Sequence, residues 1–251
     1  MSSILQRSVL ATFLLMSVSG CGGSSPQSPA LPENVRTIFH VENVHFVDLK
    51  SFALDHLDQD PDLTAEELEV LYTDLIDQVI DYQLHQRTIL EQLLQEHHIV
   101  VLYYEGLTLD PQEQNNYFEA VEMYWQLREQ QLGKASGNSE RDVMRSFPEL
   151  ALTVGNPGVL LKTGLLRSVE PTEDANLLAA DNPMITGKFQ VDHVAREARE
   201  SFMIQQILKS NDQAMILVCG RGHEFQDNVP DGVKIVRIPV PYLSETISDS
   251  P

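Results

Sequence analysis

The feature that most constrains the fold is a pattern in which a long amphipathic segment is followed by a short, continuous apolar run. Apolar residues recur at helical intervals over residues 64–96, and the apolar run 99–104 follows directly. A second amphipathic segment, 191–208, leads in the same way into the apolar run 214–219. Apolar runs of this length, bounded by polar residues or glycine, are typical of buried strands. The alternation therefore predicts an α/β fold with a central mixed sheet flanked by helices.

Three weaker strand patterns and one irregular stretch complete the prediction. Two short runs of β-branched and aromatic residues, 35–39 and 44–47, begin the folded part, and a third run, 233–238, ends it. Residues 140–187 alternate short apolar pieces with Asn-Pro pairs and further prolines. We expect this middle insertion to form short helices that pack as a helical cap, within a single domain that spans residues 34–251.

Two helix starts carry specific signals. Thr64 and Glu67 have the spacing of a capping box, in which each side chain accepts a hydrogen bond from the other residue's backbone. Asp110 and Pro111 place an acid at the N-cap and a proline in the first turn of another helix, which we expect to run to about residue 132. These helices flank the predicted strand 99–104 in the sequence.

The first 33 residues have the composition of a lipoprotein leader and tether. Residues 1–20 contain one cation, Arg7, then an apolar run too short to cross a bilayer as a mature helix, then small residues. The junction before Cys21 resembles the bacterial lipobox and predicts a lipid-modified cysteine that anchors the chain to a membrane. An ordinary secretory peptide is the alternative. Residues 21–33 are expected to be a flexible tether.

The chain is strongly acidic, with 37 Asp and Glu against 17 Lys and Arg and a formal net charge of −20. Proteins that bind nucleic acid neutralise phosphates with Lys and Arg, and the sequence has no basic stripe to do so. We therefore expect no nucleic-acid partner. Clefts in an acidic surface instead concentrate cations and cationic substrates.

Two side chains with suitable chemistry directly follow predicted strands. His223 lies on the glycine-containing turn 220–223 after the run 214–219, and Glu105 follows the run 99–104. Ligands of α/β proteins gather at the carboxyl ends of strands. A histidine there can bind a metal or move a proton, and a carboxylate can ligate a metal or act as a general base. A hydrogen-bonded loop histidine and a solvated turn acid are the alternatives.

A small basic cluster accompanies these two residues. His193, Arg196 and Arg199 follow one another at intervals of three residues on one side of the last long predicted helix. In a chain with 17 basic residues, such a cluster requires a counterion. That counterion could be Glu105, a substrate carboxylate, or the surface acids Glu197 and Glu200.

The cysteines also constrain the chemistry. Cys219 lies at the end of the apolar run 214–219 and has no partner for an intramolecular disulfide once Cys21 is acylated. We therefore expect Cys219 to be a buried structural thiol.

The order and approximate spacing of these residues resemble the TraB/GumN, TIKI, erythromycin-esterase-like and ChaN-like superfamily over most of residues 35–238. The matching positions are Glu105-Gly106 after a strand, Arg199 with Met203 four residues on, and a strand that ends in Gly220-x-x-His223. The resemblance implies an α/β fold with a site built from the His, Glu and Arg positions. Several members look like metal-dependent peptidases or esterases, and the ChaN-like branch comprises haem-binding lipoproteins.

The superfamily also has an early Gly-x-x-His, from which this chain departs. His45 is preceded three places back by Glu42, and His40 by Thr37. His45 is the preferred equivalent because it closes the better placed apolar segment, and His40 is the alternative.

The resemblance implies a metal-dependent hydrolase of the peptidase or esterase type that acts on a small molecule or a peptide. A zinc, manganese or iron ion would be held by His45, His223 and Glu105, and Glu105 would ligate the ion or act as a base. Arg199 would stabilise the developing oxyanion or orient Glu105.

Two other functions are consistent with the sequence. A ChaN-like lipoprotein would capture haem or a metal without turnover, with Tyr103, Tyr104 and the histidines as candidate axial ligands. A catalytically degenerate relative would keep the fold and would bind neither metal nor haem, so chelators would not change its stability.

The lipid anchor predicts a location in the bacterial cell envelope. Gly22 follows the modified cysteine in place of the Asp that commonly retains lipoproteins at the inner membrane. By resemblance to such lipoproteins, we expect the protein of a Gram-negative cell at the outer membrane, facing the periplasm.

Overall fold

A computed structural model describes residues 35–44, 49–134, 138–181 and 192–240. All of them belong to one compact unit, Glu33–Pro251. The predicted leader, the tether with Cys21, and His45 lie outside the described residues. The strands are β1 (Arg36–Asn43), β2 (Val101–Thr108), β3 (Ser168–Glu173), β4 (Ala214–Gly220) and β5 (Val233–Ile238). The helices are α1 (Leu49–Gln59), α2 (Ala65–His97), α3 (Pro111–Lys134), α4 (Glu140–Ser146), α5 (Pro148–Lys162), α6 (Ala175–Asp181) and α7 (His193–Ile207).

The five strands form one sheet in the order β3-β2-β4-β1-β5. Every described strand pair is parallel, so the α/β class is confirmed and the expectation of a mixed sheet is wrong. The last two strands explain the difference. β5 pairs with β1 and not with β4, so residues 221–232 form a crossover connection and not a hairpin.

Alternation along the strands divides the core between the two faces of the sheet. Ile216 and Val218 of β4 pack with the helices from α2 to α5. Leu217 and Cys219 face the other way and pack with Met203 and neighbouring residues of α7. Because successive side chains of a strand point to opposite faces, the position of each strand residue decides whether it meets α7.

The middle insertion does not form the expected cap. Helix α5 belongs to the main core, where Val154 and Leu160 are completely buried. Further along, β3 pairs with β2 at one edge of the sheet. Pro171 lies within β3, and a proline is tolerated there because an edge strand leaves one side of its backbone unpaired. Residues 182–187 of this insertion lie outside the described part of the chain.

Helix α2 begins as predicted. The backbone N–H of Glu67 donates to Thr64 Oγ1, and the backbone N–H of Thr64 donates to Glu67 Oε2, which completes the capping box. The following helix, α3, begins at Pro111. Among the described helices, none is both long enough and apolar enough to span a membrane.

Helix α5 is broken at Gly155, next to the end of β2. Gly155 has φ 60° and ψ −173°, a conformation almost confined to glycine. A Cβ atom at this position would lie 2.9 Å from Tyr104 Oη. The side chain of Asn156 fills the break and donates to Gln86 Oε1 at 2.8 Å. The break therefore makes room for the tyrosine that immediately precedes Glu105.

We expect Gly155→Ala to lower the free energy of unfolding by about 3 kcal/mol, because it adds both backbone strain and a clash with Tyr104. Gly164→Ala is the matched control, since Gly164 also has a positive φ of 77° but has no atom within 4 Å of the position that a Cβ would take. The control should lose about 1 kcal/mol, from strain alone. Urea unfolding of both variants measures the difference, and equal losses would contradict the role given to Tyr104.

Candidate functional site

The carboxylate of Glu105 lies between β2, β4 and α7. The register of β2 against β3 shifts around Glu105 and Gly106, and Gly106 has φ 83°. This irregularity is a bulge of the kind that redirects side chains near the ends of strands. Glu105 Oε2 accepts a hydrogen bond from the backbone N–H of Gly220, and Oε1 accepts one from Arg199 Nη2 at 2.9 Å.

Three carboxylates hold the guanidinium of Arg199. Its Nε donates to Glu173 Oε2 at 3.0 Å, its Nη1 donates to Asp181 Oδ2 at 3.0 Å, and its Nη2 donates to Glu105. All four side chains are buried. Of the counterions considered from the sequence, the structure brings Glu105 to Arg199 and adds Glu173 and Asp181.

The imidazole of His223 contacts a carboxylate at each of its two ring nitrogens. Nε2 is 3.1 Å from Glu105 Oε1, and Nδ1 is 2.9 Å from Glu200 Oε1. The ring also stacks on Phe225, with 5.6 Å between the centroids. Burial by itself lowers the pKa of His223, but hydrogen bonds to the Glu105 and Glu200 carboxylates outweigh it and raise the pKa to about 9.

Cys219 completes a group that could hold a metal ion. One ligand atom from each of Glu105, Cys219 and His223 lies within 4.8 Å of the other two, and all three residues are buried. Burial, and then the charge of Glu105, raise the pKa of the thiol well above its ordinary value. A bound cation reverses this effect, because a coordinating thiol loses its proton.

The charges of the cluster favour a cation. The cluster contains four carboxylates. Those of Glu105, Glu173 and Asp181 pair with Arg199, Asp181 also lies 3.5 Å from Arg196, and Glu200 contacts His223. With His223 neutral, four negative and two positive charges leave a net charge of −2. A divalent cation reduces this buried negative charge, and protonation of His223 reduces part of it.

His40 lies near the cluster but makes a different contact. It is buried in β1, and its Nε2–H donates to the backbone oxygen of Cys219 at 3.2 Å. Burial lowers its pKa, and its ring meets Phe225 edge to face. Because a carbonyl accepts from Nε2, this nitrogen is not free to bind a metal in the observed position. His45, the preferred first histidine, lies outside the described residues.

The structure thus brings together Glu105, Arg199 and His223 from the predicted set. Four neighbours were not predicted as site residues: Glu173, Asp181, Glu200 and Cys219. Glu173 lies on the unpredicted strand β3, and Asp181 ends the short helix α6. Cys219 had a usable signal, because it directly precedes the glycine-containing turn 220–223 that carries His223.

Two surface depressions lie away from the cluster. One is apolar and is lined by Leu71 and neighbouring residues at the start of α2. The other is lined by residues that include Tyr103, Arg167 and Lys209. The candidate site is therefore identified by its buried chemistry and by its place towards the carboxyl ends of β2 and β4. The prediction that Glu105 follows its strand is wrong, because β2 continues past the bulge to Thr108.

Comparisons with protein-family models, with curated proteins and with solved structures give no match for this chain. The superfamily resemblance accordingly rests on the residues named above.

Proposed function

We propose that this chain is a lipid-anchored, metal-dependent hydrolase of the peptidase or esterase type, related to the TraB/TIKI-like group. The observation that supports the proposal is the convergence of Glu105, Arg199 and His223. Glu105 contacts Arg199 across 94 residues of sequence and His223 across 118 residues. Buried groups of perturbed pKa that converge at strand ends are characteristic of functional sites.

The residues present fit a divalent ion. His223 and Glu105 would hold it, and Cys219 supplies a third donor that the sequence did not suggest. A donor set of thiolate, imidazole and carboxylate favours zinc or iron over manganese. When bound, such an ion supplies Lewis-acid chemistry and lowers the pKa of water. His45, the other proposed ligand, lies outside the described residues.

Glu105 and Arg199 have separate roles in the proposed reaction. The Glu105 carboxylate lies beside His223 Nε2 and is the group that could accept a proton from an attacking water. Arg199 is held by Glu173 and Asp181 as well as by Glu105, and this arrangement supports an orienting role more than direct stabilisation of an oxyanion. The proposed substrate is a small molecule or a peptide.

The internal charge pairing of the cluster favours a second candidate, a catalytically inactive relative. Arg199 has three carboxylate partners and His223 has two, so these cations are paired without any ligand. This candidate predicts no metal and no effect of chelators on stability.

The alternative that involves no catalysis is a lipoprotein that binds haem without turnover. Tyr103 packs with the α7 side of the sheet, whereas Tyr104 packs with the opposite core. One haem therefore could not use both phenols, and an axial ligand would have to be one tyrosine or a histidine. A haem titration of the purified protein tests this alternative, which predicts a shifted Soret band.

The proposal is tested by the metal content of the full chain, purified in detergent without chelators. We expect a stoichiometric divalent ion in the wild type and its loss in His223→Ala, because the variant removes one donor. His193→Ala is the matched control, since His193 is exposed at the start of α7, and it should keep the ion. A wild type that stays empty after incubation with zinc, iron and manganese would overturn the proposal.

A further inference from the structure

We propose that Glu200 is the positioning residue of His223, an acid that accepts the Nδ1 proton and thereby directs Nε2 towards Glu105. The expected effect on metal affinity rests on the proposed function. The positioning role itself rests on the contacts of Glu200. The sequence suggested Glu200 as one of the surface acids that could neutralise the basic cluster, but its side chain is only 3% exposed.

The contacts of Glu200 determine the placement of the ring. Its Oε1 lies 2.9 Å from His223 Nδ1 and also accepts the backbone N–H of Glu224 at 3.2 Å. One oxygen of the Glu200 carboxylate therefore binds both the imidazole of His223 and the backbone N–H of the next residue, Glu224. Phe225 covers the face of the ring. These contacts leave Nε2 as the nitrogen that meets Glu105.

This arrangement has the form that a metal-binding histidine requires. Such histidines usually donate their other ring N–H to a carboxylate or a carbonyl, which fixes the tautomer and the orientation of the ring. The neighbouring residue, Arg199, binds Glu105, so adjacent positions of α7 hold the two groups that face each other. Helix α7 therefore fixes Glu105 and His223 relative to each other through the side chains of Arg199 and Glu200.

The test compares Glu200→Ala, which removes the acceptor, with Glu200→Gln, which keeps an acceptor oxygen. Metal affinity is measured on the full chain by competition with a chromophoric chelator, using zinc as the probe. We expect Glu200→Ala to bind zinc about 10–100-fold more weakly than the wild type. Glu200→Gln should recover part of that loss. Glu197→Ala is the matched control, an exposed acid three residues earlier in α7, and should leave affinity unchanged.

A second measurement does not depend on metal. In metal-free protein with ¹⁵N-labelled histidine, we expect a slowly exchanging proton on His223 Nδ1 in the wild type and in Glu200→Gln, but not in Glu200→Ala. Circular dichroism checks that each variant is folded. If the wild type binds no zinc but the Nδ1 proton depends on Glu200, the proposed function fails and the positioning role stands. If Glu200→Ala keeps the Nδ1 proton, or if it binds zinc as tightly as a wild type that does bind zinc, the positioning role is wrong.

Discussion

Replacing Arg199 by alanine is expected to lower the free energy of unfolding by about 3–5 kcal/mol, because removing one partner of a buried ion pair leaves the other charge uncompensated. The variant removes the guanidinium that pairs with three buried carboxylates, those of Glu105, Glu173 and Asp181. Urea unfolding in the presence of a chelator measures the effect without any contribution from bound metal.

Arg145→Ala is the matched control for this prediction. Arg145 also pairs with an acid in two hydrogen bonds, to Asp77, but its side chain is 46% exposed. Exposed pairs contribute less than about 1 kcal/mol, so the control should change little. A loss in Arg199→Ala no larger than in the control would show that the buried cluster does not depend on its central cation.

A combined variant separates charge from packing. Adding Glu173→Gln to Arg199→Ala removes one of the uncompensated charges and should recover part of the lost stability. The two substitutions are in direct contact, so their effects should not add. Simple addition of the two losses would instead indicate that the void left by the arginine side chain dominates.

The sequence predicted best those elements whose signals are local. The capping box at Thr64 and Glu67 needs only four consecutive residues, and α2 begins next to it as expected. The strand β5 has the predicted limits, Val233–Ile238. Helix α1 was not predicted, and the proposed strand 44–47 falls largely outside the described residues.

The strand β3 shows why local signals were insufficient elsewhere. Its sequence has one strongly apolar residue, Val169, and a proline, and both features argue against a strand. Its strand conformation depends on pairing with β2, which only the complete sheet provides. Glu173 was missed for the same reason, because its position beside Arg199 follows from that pairing.

The candidate site was predictable to the extent that strand ends were predictable. Glu105 and His223 each follow a strong apolar run, and parallel strands bring such ends to one edge of the sheet. By contrast, the partners Asp181 and Glu200 are ordinary acids in a sequence with 37 acidic residues. Nothing in their immediate sequence distinguishes buried acids from solvated ones.

The second large effect is a loss of stability at alkaline pH in the metal-free protein. The pKa of His223 is raised from the ordinary 6.5 to about 9 in the folded state. A group with a raised pKa stabilises the fold fully below its unfolded pKa, and this stabilisation is lost as the pH rises through the folded pKa. The difference corresponds to about 3 kcal/mol, which should disappear between pH 6.5 and about 9.

The groups that face His223 define this pH window. The Glu105 and Glu200 carboxylates raise its pKa, whereas Arg199 opposes them. His40 has a lowered pKa, so its effect lies below pH 6.5, where stability falls with falling pH. Cys219 has a raised pKa and adds a further loss above its ordinary value of 9.0. Between these limits, the slope belongs chiefly to His223.

Urea unfolding of chelator-treated protein across this window tests the prediction. The wild type and His193→Gln should lose stability steadily as the pH rises, because His193 is exposed and makes no part of the cluster. His223→Gln should start from a lower stability and lose the slope, since it has no proton to release in this range. A slope that survives in His223→Gln would assign the titration to another group. It would also show that His223 is not held as a cation between Glu105 and Glu200.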